Sequence, residues 1–107
     1  MNAPAAAPIY AGQVLEIEFP AFRPRIVLHS EHELTVEIIS GDDAGFADTV
    51  ACEFAVIRDG LAVLSWQEHI GTTVVHVLDF ISERAHTAVT PAKGKFMRLT
   101  GRIRVKS

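Results

Sequence analysis

The sequence predicts an all-β fold, a single antiparallel up-and-down β-barrel of about eight strands. Val, Ile and Thr make up about a quarter of the 107 residues, and these β-branched side chains favour strands over helices. Apolar and polar residues alternate with period two in one segment after another, and no segment keeps the spacing of an amphipathic helix. So many short strands leave many edges, which closure into a barrel removes.

The elements follow one another along the chain with short turns between them. Residues 1–11 are rich in Ala and Pro and are expected to be a flexible lead-in, followed by one barrel domain over residues 12–107. The predicted strands cover residues 14–19, 33–38, 48–57, 61–68, 72–80, 84–89 and 95–105, together with a short second strand that begins with Ile26 and Leu28. Pro20 and Pro24 bracket the first turn, and glycine-containing segments form later turns at 41–45, 58–60, 69–71 and 91–94. Residues 42–51 leave room for one or two helical turns.

Composition narrows the class of protein. An apolar fraction of 49% with 21% charged residues is typical of a globular domain. The apolar runs are too short for a membrane-spanning helix, and the chain does not open with a secretory leader. A single cysteine, Cys52, fits a reducing compartment, and a net charge of −3 argues against nucleic acid as the main partner. We therefore expect a cytoplasmic protein with no membrane or nucleic-acid partner.

The charge pattern supports closure of the barrel. Six of the ten basic residues lie in the last 15 positions, where no acidic residue occurs. The alternation places Arg98, Arg102 and Arg104 on the outside of the last strand, and Glu16 and Glu18 on the outside of the first. Pairing of these two strands would bring opposite charges together across the closing seam.

The polar content of the lumen depends on the register of two hairpins. A three-residue turn at 58–60 with a glycine bulge places Cys52 opposite Trp66 and Phe54 opposite Leu64, which buries the only tryptophan. A two-residue turn would instead swing Trp66 outward. A three-residue loop at 69–71 then aligns Leu64 with His76. The preferred register gives a lumen with six candidate ligand-binding residues: Cys52, Phe54, Trp66, Glu68, Thr72 and His76.

Glu68 and His76 are the candidate catalytic residues. Burial raises the pKa of a carboxyl and lowers that of an imidazole, which would suit either group for proton transfer near neutral pH. The same two side chains would also serve to orient a bound ligand, or be only satisfied or half-solvated structural residues near the barrel rim. The five histidines lack the spacing of metal ligands, so no metal or other cofactor is predicted.

The predicted outer face of the fifth and sixth strands is unusually apolar. It carries Val63, Val75 and Val77 among smaller polar residues. Such a surface suggests a partner, and a two-fold homodimer is the commonest solution. The alternative is an inverted register, in which these valines line the lumen.

The segment from Ser65 to Phe80, followed by Gly94 to Gly101, resembles the MoaF-like proteins, which are small calycin-type, lipocalin-like barrels. The shared pattern is W-x-E, a short turn, a T-x-V run ending in D-F, and a closing G-x-F…G strand. The matching positions are Trp66, Glu68, Thr73, Asp79, Phe80 and Gly101. The resemblance implies a barrel with a lumen for a small molecule, and it covers about the last 45 residues well. Phenolic acid decarboxylases use a related barrel with an interior tyrosine, but the only tyrosine here, Tyr10, lies in the lead-in.

Three functions are compatible with these features. The first is a non-enzymatic barrel that binds a small apolar or aromatic molecule, with Trp66 as a stacking wall and Glu68 and His76 as orienting groups. The second is a small isomerase, cyclase or lyase in which Glu68 or His76 moves a proton. The third is an interaction module with a solid core and a working outer face.

Overall fold

The computed structural model describes residues 12–106, which form one closed antiparallel barrel. Its strands are β1 (Val14–Glu18), β2 (Arg23–Ser30), β3 (Glu33–Ser40), β4 (Ala47–Arg58), β5 (Leu61–Gln67), β6 (Thr73–Asp79), β7 (Arg84–Thr90) and β8 (Met97–Val105). Each strand pairs with the next along the chain, and β8 pairs with β1 to close the sheet. The all-β, eight-stranded barrel is therefore confirmed. The predicted lead-in at residues 1–11 lies outside the described residues.

Two local predictions in the first half of the chain were wrong. Pro24 does not end a turn but lies inside β2 opposite Ile38, where the register shifts between Arg23 and Pro24. An irregularity of this kind accommodates proline because the ladder hydrogen bond that proline cannot donate is already interrupted there. Residues 42–51 contain no helical turn: a turn covers 42–45, and β4 begins at Ala47. The backbone N–H of Ile38 donates to the carbonyl of Phe46 at 2.9 Å, which continues the strand pairing up to this turn.

Both hairpin registers follow the preferred prediction. Cys52 pairs with Trp66, and Phe54 pairs with Leu64. Leu64 in turn pairs with His76, which places the tryptophan and the histidine on the inner face. Gly60 and Gly71 adopt φ values of +75° and +98°, which side chains other than glycine rarely tolerate. The first turn is nevertheless the two-residue Asp59–Gly60, with Arg58 paired with Leu61, and not the predicted three-residue turn. The register shift between Val56 and Arg58 is what keeps Trp66 on the inner face.

The core fills the end of the barrel away from the β5–β6 turn. Leu15, Ile26, Leu64 and Leu78 are fully buried there and belong to one cluster of packed apolar side chains. Inward and outward residues alternate along each strand, as a closed sheet requires. The barrel is therefore densely packed at the end away from the β5–β6 turn, and a cavity lies at the end that carries this turn.

The closing seam between β1 and β8 carries the predicted charge pairs. Glu16 lies opposite Arg104, Glu18 lies opposite Arg102, and Arg104 Nε donates to Glu18 Oε2 at 2.6 Å. Arg98 is exposed, as predicted, but lies opposite Ala88 of β7 and outside the seam, because the short β1 reaches only the last part of β8.

The apolar outer face lies where the preferred register places it. Val63, Val75 and Val77 are half-buried on the outside of β5 and β6, so the inverted register is excluded. The homodimer inferred from this face stays a prediction. No helix in the described part of the chain is long and apolar enough to cross a membrane.

Candidate functional site

A cavity of about 580 Å³ occupies one end of the barrel. Its rim is formed by the β1–β2, β3–β4, β5–β6 and β7–β8 connections, which all meet at this end. Its wall is mostly aromatic and aliphatic and includes Phe19, Phe22, Val36, Ile38, Trp66 and Leu99. Pockets that bind small molecules typically enclose about 300–1,000 Å³ and have a mainly apolar wall with a few polar groups. This cavity has both properties.

Neighbouring strands β5 and β6 place the polar groups at defined depths. Glu68 and Thr72 face each other beside the β5–β6 turn, where the Glu68 N–H donates to the Thr72 carbonyl at 2.8 Å. Trp66 pairs with Val74 one level deeper, and Leu64 pairs with His76 one level below that. Successive inward residues on a strand lie about 7 Å apart. The cavity therefore has one polar group near its mouth and another at its floor, with an aromatic wall between them.

Trp66 and Glu68 act as a connected pair. The indole N–H of Trp66 donates to Glu68 Oε2 at 3.1 Å, which both positions the ring and satisfies its only donor. Burial raises the pKa of the Glu68 carboxyl, the Trp66 hydrogen bond partly opposes this shift, and the nearby Asp48 charge adds to it. Glu68 Oε1 makes no hydrogen bond within residues 12–106. One carboxyl oxygen thus remains available to a ligand.

His76 forms the polar floor of the cavity. It is 2% exposed, and its Nδ1 lies 2.6 Å from the hydroxyl of Thr87. Its ring packs against Trp66 at a centroid distance of 5.1 Å. Desolvation lowers the pKa of His76 to about 3, so the imidazole is neutral at physiological pH. Its Nε2 has no hydrogen-bond partner in the described part of the chain.

The six predicted ligand-binding residues do not all meet at the cavity. Trp66, Glu68, Thr72 and His76 line it, whereas Cys52 and Phe54 do not. Cys52 is cross-strand from Trp66 but donates its thiol to the Glu31 carbonyl, at 3.7 Å, in the β2–β3 turn at the opposite end. Strand tilt explains this separation, because neighbours across a barrel sheet climb steadily relative to its axis. Burial raises the pKa of the Cys52 thiol to about 11, which makes it an unreactive packing group.

Several lining residues were missed from sequence. Thr87 is inward on β7 two residues after the buried Ala85, so the alternation there contained the signal. Phe22 and Phe46 line the cavity from just outside the predicted strands, where no periodicity marks them. Asp42 and Asp43 reach the rim from the β3–β4 turn.

A hydrogen-bonded pair fixes the β5–β6 turn that carries Glu68. Asp48 accepts from the backbone N–H of His69 at 2.8 Å, and its other oxygen lies 2.7 Å from His69 Nδ1. The backbone hydrogen bond lowers the pKa of the Asp48 carboxyl. Within residues 12–106, no group of three or more His, Cys, Asp and Glu side chains is placed to hold a metal ion.

The fold and the cavity define a class of protein: a small closed antiparallel barrel with a ligand-sized, mainly apolar lumen. The chain belongs to the MoaF-like family, whose model matches residues 11–104. It is also similar in structure to a protein of Burkholderia vietnamiensis that has been provisionally described as a beta-lactamase. The two chains are 25% identical, the TM-score is 0.85, and the match covers 95% of this chain and 100% of the other. None of the curated proteins compared with the chain matches it.

The residues that match the MoaF-like pattern have different roles in the structure. Trp66 and Glu68 line the cavity. Asp79 Oδ1 accepts from the N–H groups of Ile81 and Ser82, at 3.0 and 3.1 Å, and so caps the β6–β7 turn. Gly101 lies at the closest approach of β8 to β1. The residues shared with the family therefore include some that stabilise the barrel and some that line the cavity.

Proposed function

We propose that this protein binds a compact, largely apolar or aromatic small molecule in the barrel lumen. The observation that carries the proposal is the cavity of about 580 Å³, which is open at one end and has an aromatic wall with polar groups only at defined points. A solid-core interaction module would have no such space. The similarity to the Burkholderia protein supports the barrel fold alone, and we do not infer beta-lactamase activity from it.

The wall supports an aromatic or otherwise flat ligand. Phe19 and Phe22 pack against each other with ring centroids 5.1 Å apart, and Phe19 stacks over His76 at 6.3 Å. Trp66 contributes the largest ring and packs against the same histidine at a centroid distance of 5.1 Å. Offset and tilted ring contacts of this kind extend readily to a bound ring. Glu68 and His76 would orient the ligand through their free hydrogen-bonding atoms.

Binding is expected to change the fluorescence of Trp66, which is the only tryptophan in the chain. Its emission reports directly on the lumen because the indole lines the cavity. We would titrate the protein with a library of compact aromatic compounds and follow both emission and backbone amide chemical shifts. Saturable changes centred on the cavity residues are the expected result.

A pair of variants on β6 locates the binding. Val74→Phe fills the lumen from inside and should abolish the response, whereas Val75→Phe adds the same volume on the outer face and should leave it intact. Melting curves of both variants establish that each is folded. A library without a single saturable response in the wild-type chain, or equal binding by the two variants, would contradict the proposal.

A second candidate is proton-transfer catalysis by Glu68. Burial in an apolar cavity raises the pKa of this carboxyl, which is the direction of shift that proton transfer by a carboxyl requires. His76, with a pKa of about 3, is a much weaker base. If a library compound is converted, Glu68→Gln should abolish turnover while the fold and the binding of uncharged compounds persist. Unchanged turnover in Glu68→Gln would remove Glu68 from any such reaction.

A further inference from the structure

The polar lining of the cavity is one-sided in charge. Its ionisable side chains are the carboxyls of Asp42, Asp43 and Glu68, together with the neutral imidazole of His76. None of the ten Lys and Arg residues, all of which lie within residues 12–106, lines it. A site that lacks cations offers no compensation for the buried charge of an anionic ligand. The carboxyls of the lining would instead compensate the positive charge of a cationic ligand.

Four arginines of β2 and β8 are engaged on the outer surface, and Lys93 and Lys95, exposed in the β7–β8 connection at the rim, do not line the cavity. Arg23 and Arg104 contact Glu18 at 3.1 and 2.6 Å, and Arg25 contacts Glu16 at 3.3 Å. Arg98 lies over the ring of Phe96 at 5.2 Å. These residues point away from the lumen, so the negative charge of the lining is not neutralised from within.

Glu68 and Trp66 together form the environment that an ammonium group prefers. Glu68 Oε1 is free to accept a hydrogen bond, while Oε2 is held by the indole N–H at 3.1 Å. The indole lines the same space, and the face of a tryptophan ring attracts a cation within about 6 Å. Burial alone disfavours the charged form of the Glu68 carboxyl, and an adjacent ammonium would offset that effect.

A second polar group marks the same cavity as a ligand site. His76 is only 2% exposed and lines the floor of the cavity. Its Nε2 makes no hydrogen bond within the described residues. Within the described residues, Gln13 Oε1 is the fully buried side-chain polar atom without a partner, whereas His76 Nε2 is accessible from the cavity. A ligand that reaches the floor would therefore lie between the imidazole and the Glu68 carboxyl.

We propose that the lumen selects protonated amines with a compact apolar body, whose ammonium group pairs with Glu68 while the body packs against Phe19 and Trp66. This inference rests on the proposed binding function and adds the charge of the ligand to it. The exposed rim carries both signs of charge, with Asp42 and Asp43 in the β3–β4 turn and Lys93 and Lys95 in the β7–β8 connection, so the selection rests on Glu68 inside the lumen. Carboxylates and phosphates of the same size should bind more weakly, because no cationic side chain lines the cavity.

Three probes with the same ring and linker test the selection: 3-phenylpropylamine, 3-phenylpropan-1-ol and 3-phenylpropionate. Calorimetric titration at pH 7 should show the amine binding about tenfold more tightly than the alcohol, because its hydrogen bond to Glu68 is charge-assisted. The carboxylate should bind most weakly. Glu68→Gln should lower the affinity for the amine to that for the alcohol and leave the alcohol unchanged. Glu53→Gln is the matched control, because Glu53 is exposed on the outer face of β4.

The outcomes separate this inference from the binding function. Equal or tighter binding of the carboxylate, or an amine preference that survives in Glu68→Gln, would overturn the amine selection. If none of the three probes binds while other library compounds do, the amine selection is wrong and the binding function stands. If no compound of any charge binds, both are wrong.

Discussion

Replacing Gly101 with alanine is expected to destabilise the barrel by about 2–3 kcal/mol, at the upper end of the range for overpacked sites. A Cβ atom at this position would lie 2.7 Å from the backbone oxygen of Glu18 and 2.8 Å from both Ile17 Cγ2 and Phe19 Cδ1. The Glu18 oxygen belongs to the closing strand, so relief of the clash requires β1 and β8 to separate. Urea denaturation of the two chains, followed by tryptophan emission, measures the difference.

Thr100→Ala is the control for this substitution. Thr100 is the neighbouring residue in β8, and its side chain is exposed on the outer face. It should change the free energy of unfolding by no more than about 0.5 kcal/mol. If Gly101→Ala behaves like Thr100→Ala, the close approach at the seam does not limit barrel closure.

The second large effect is acid destabilisation through His76. Its pKa is lowered from 6.5 to about 3 in the folded chain, so between these values the unfolded chain binds more protons than the folded one. The stability contribution of the neutral imidazole is therefore fully present above about pH 6.5 and decreases as the pH falls towards 3, by up to about 1.4 kcal/mol per pH unit. Between pH 6.5 and 4.5 this term amounts to about 2 kcal/mol.

His76→Asn isolates this term, because the asparagine keeps a hydrogen-bonding group near Thr87 but does not titrate. The wild-type chain should lose about 2 kcal/mol more than His76→Asn over this range. Carboxyls with lowered pKa values, such as Glu18 and Asp48, contribute to both chains and cancel in the comparison. His86→Asn, a change at an exposed histidine of β7, should keep the wild-type slope. Parallel pH profiles for the wild-type chain and His76→Asn would show that His76 is not held neutral by burial.

Much of the fold could be predicted because its determinants are local. Period-two alternation identified all eight strands, and the preference for burying the only tryptophan selected the register that brings Trp66 and His76 inside. The irregularity between Val56 and Arg58 that produces this register around a two-residue turn was not predicted. The opposite charges of β1 and β8 anticipated closure. Pro24 was misplaced because a strand irregularity that accommodates proline has no sequence pattern of its own.

The candidate site was predicted less completely, because the position of a cavity along the barrel depends on strand tilt. Local alternation shows that Cys52 and Trp66 share a face, but only the accumulated stagger shows that Cys52 lies towards the packed end. Thr87 pairs with His76 across β6 and β7, a contact that needs the register of a third hairpin. The rim acids Asp42 and Asp43 reach the cavity from a turn, where alternation gives no information.

The central claim is that the lumen, and not the outer surface, binds small molecules. A crystal structure with the tightest compound from the fluorescence screen tests it most directly, because the barrel also carries a shallow groove on its outside beside Val75, Val77 and His86. We expect ligand density inside the barrel, between Phe19 and Trp66 and within hydrogen-bonding distance of Glu68. Density only in the outer groove, with the lumen collapsed or filled by side chains, would contradict the account.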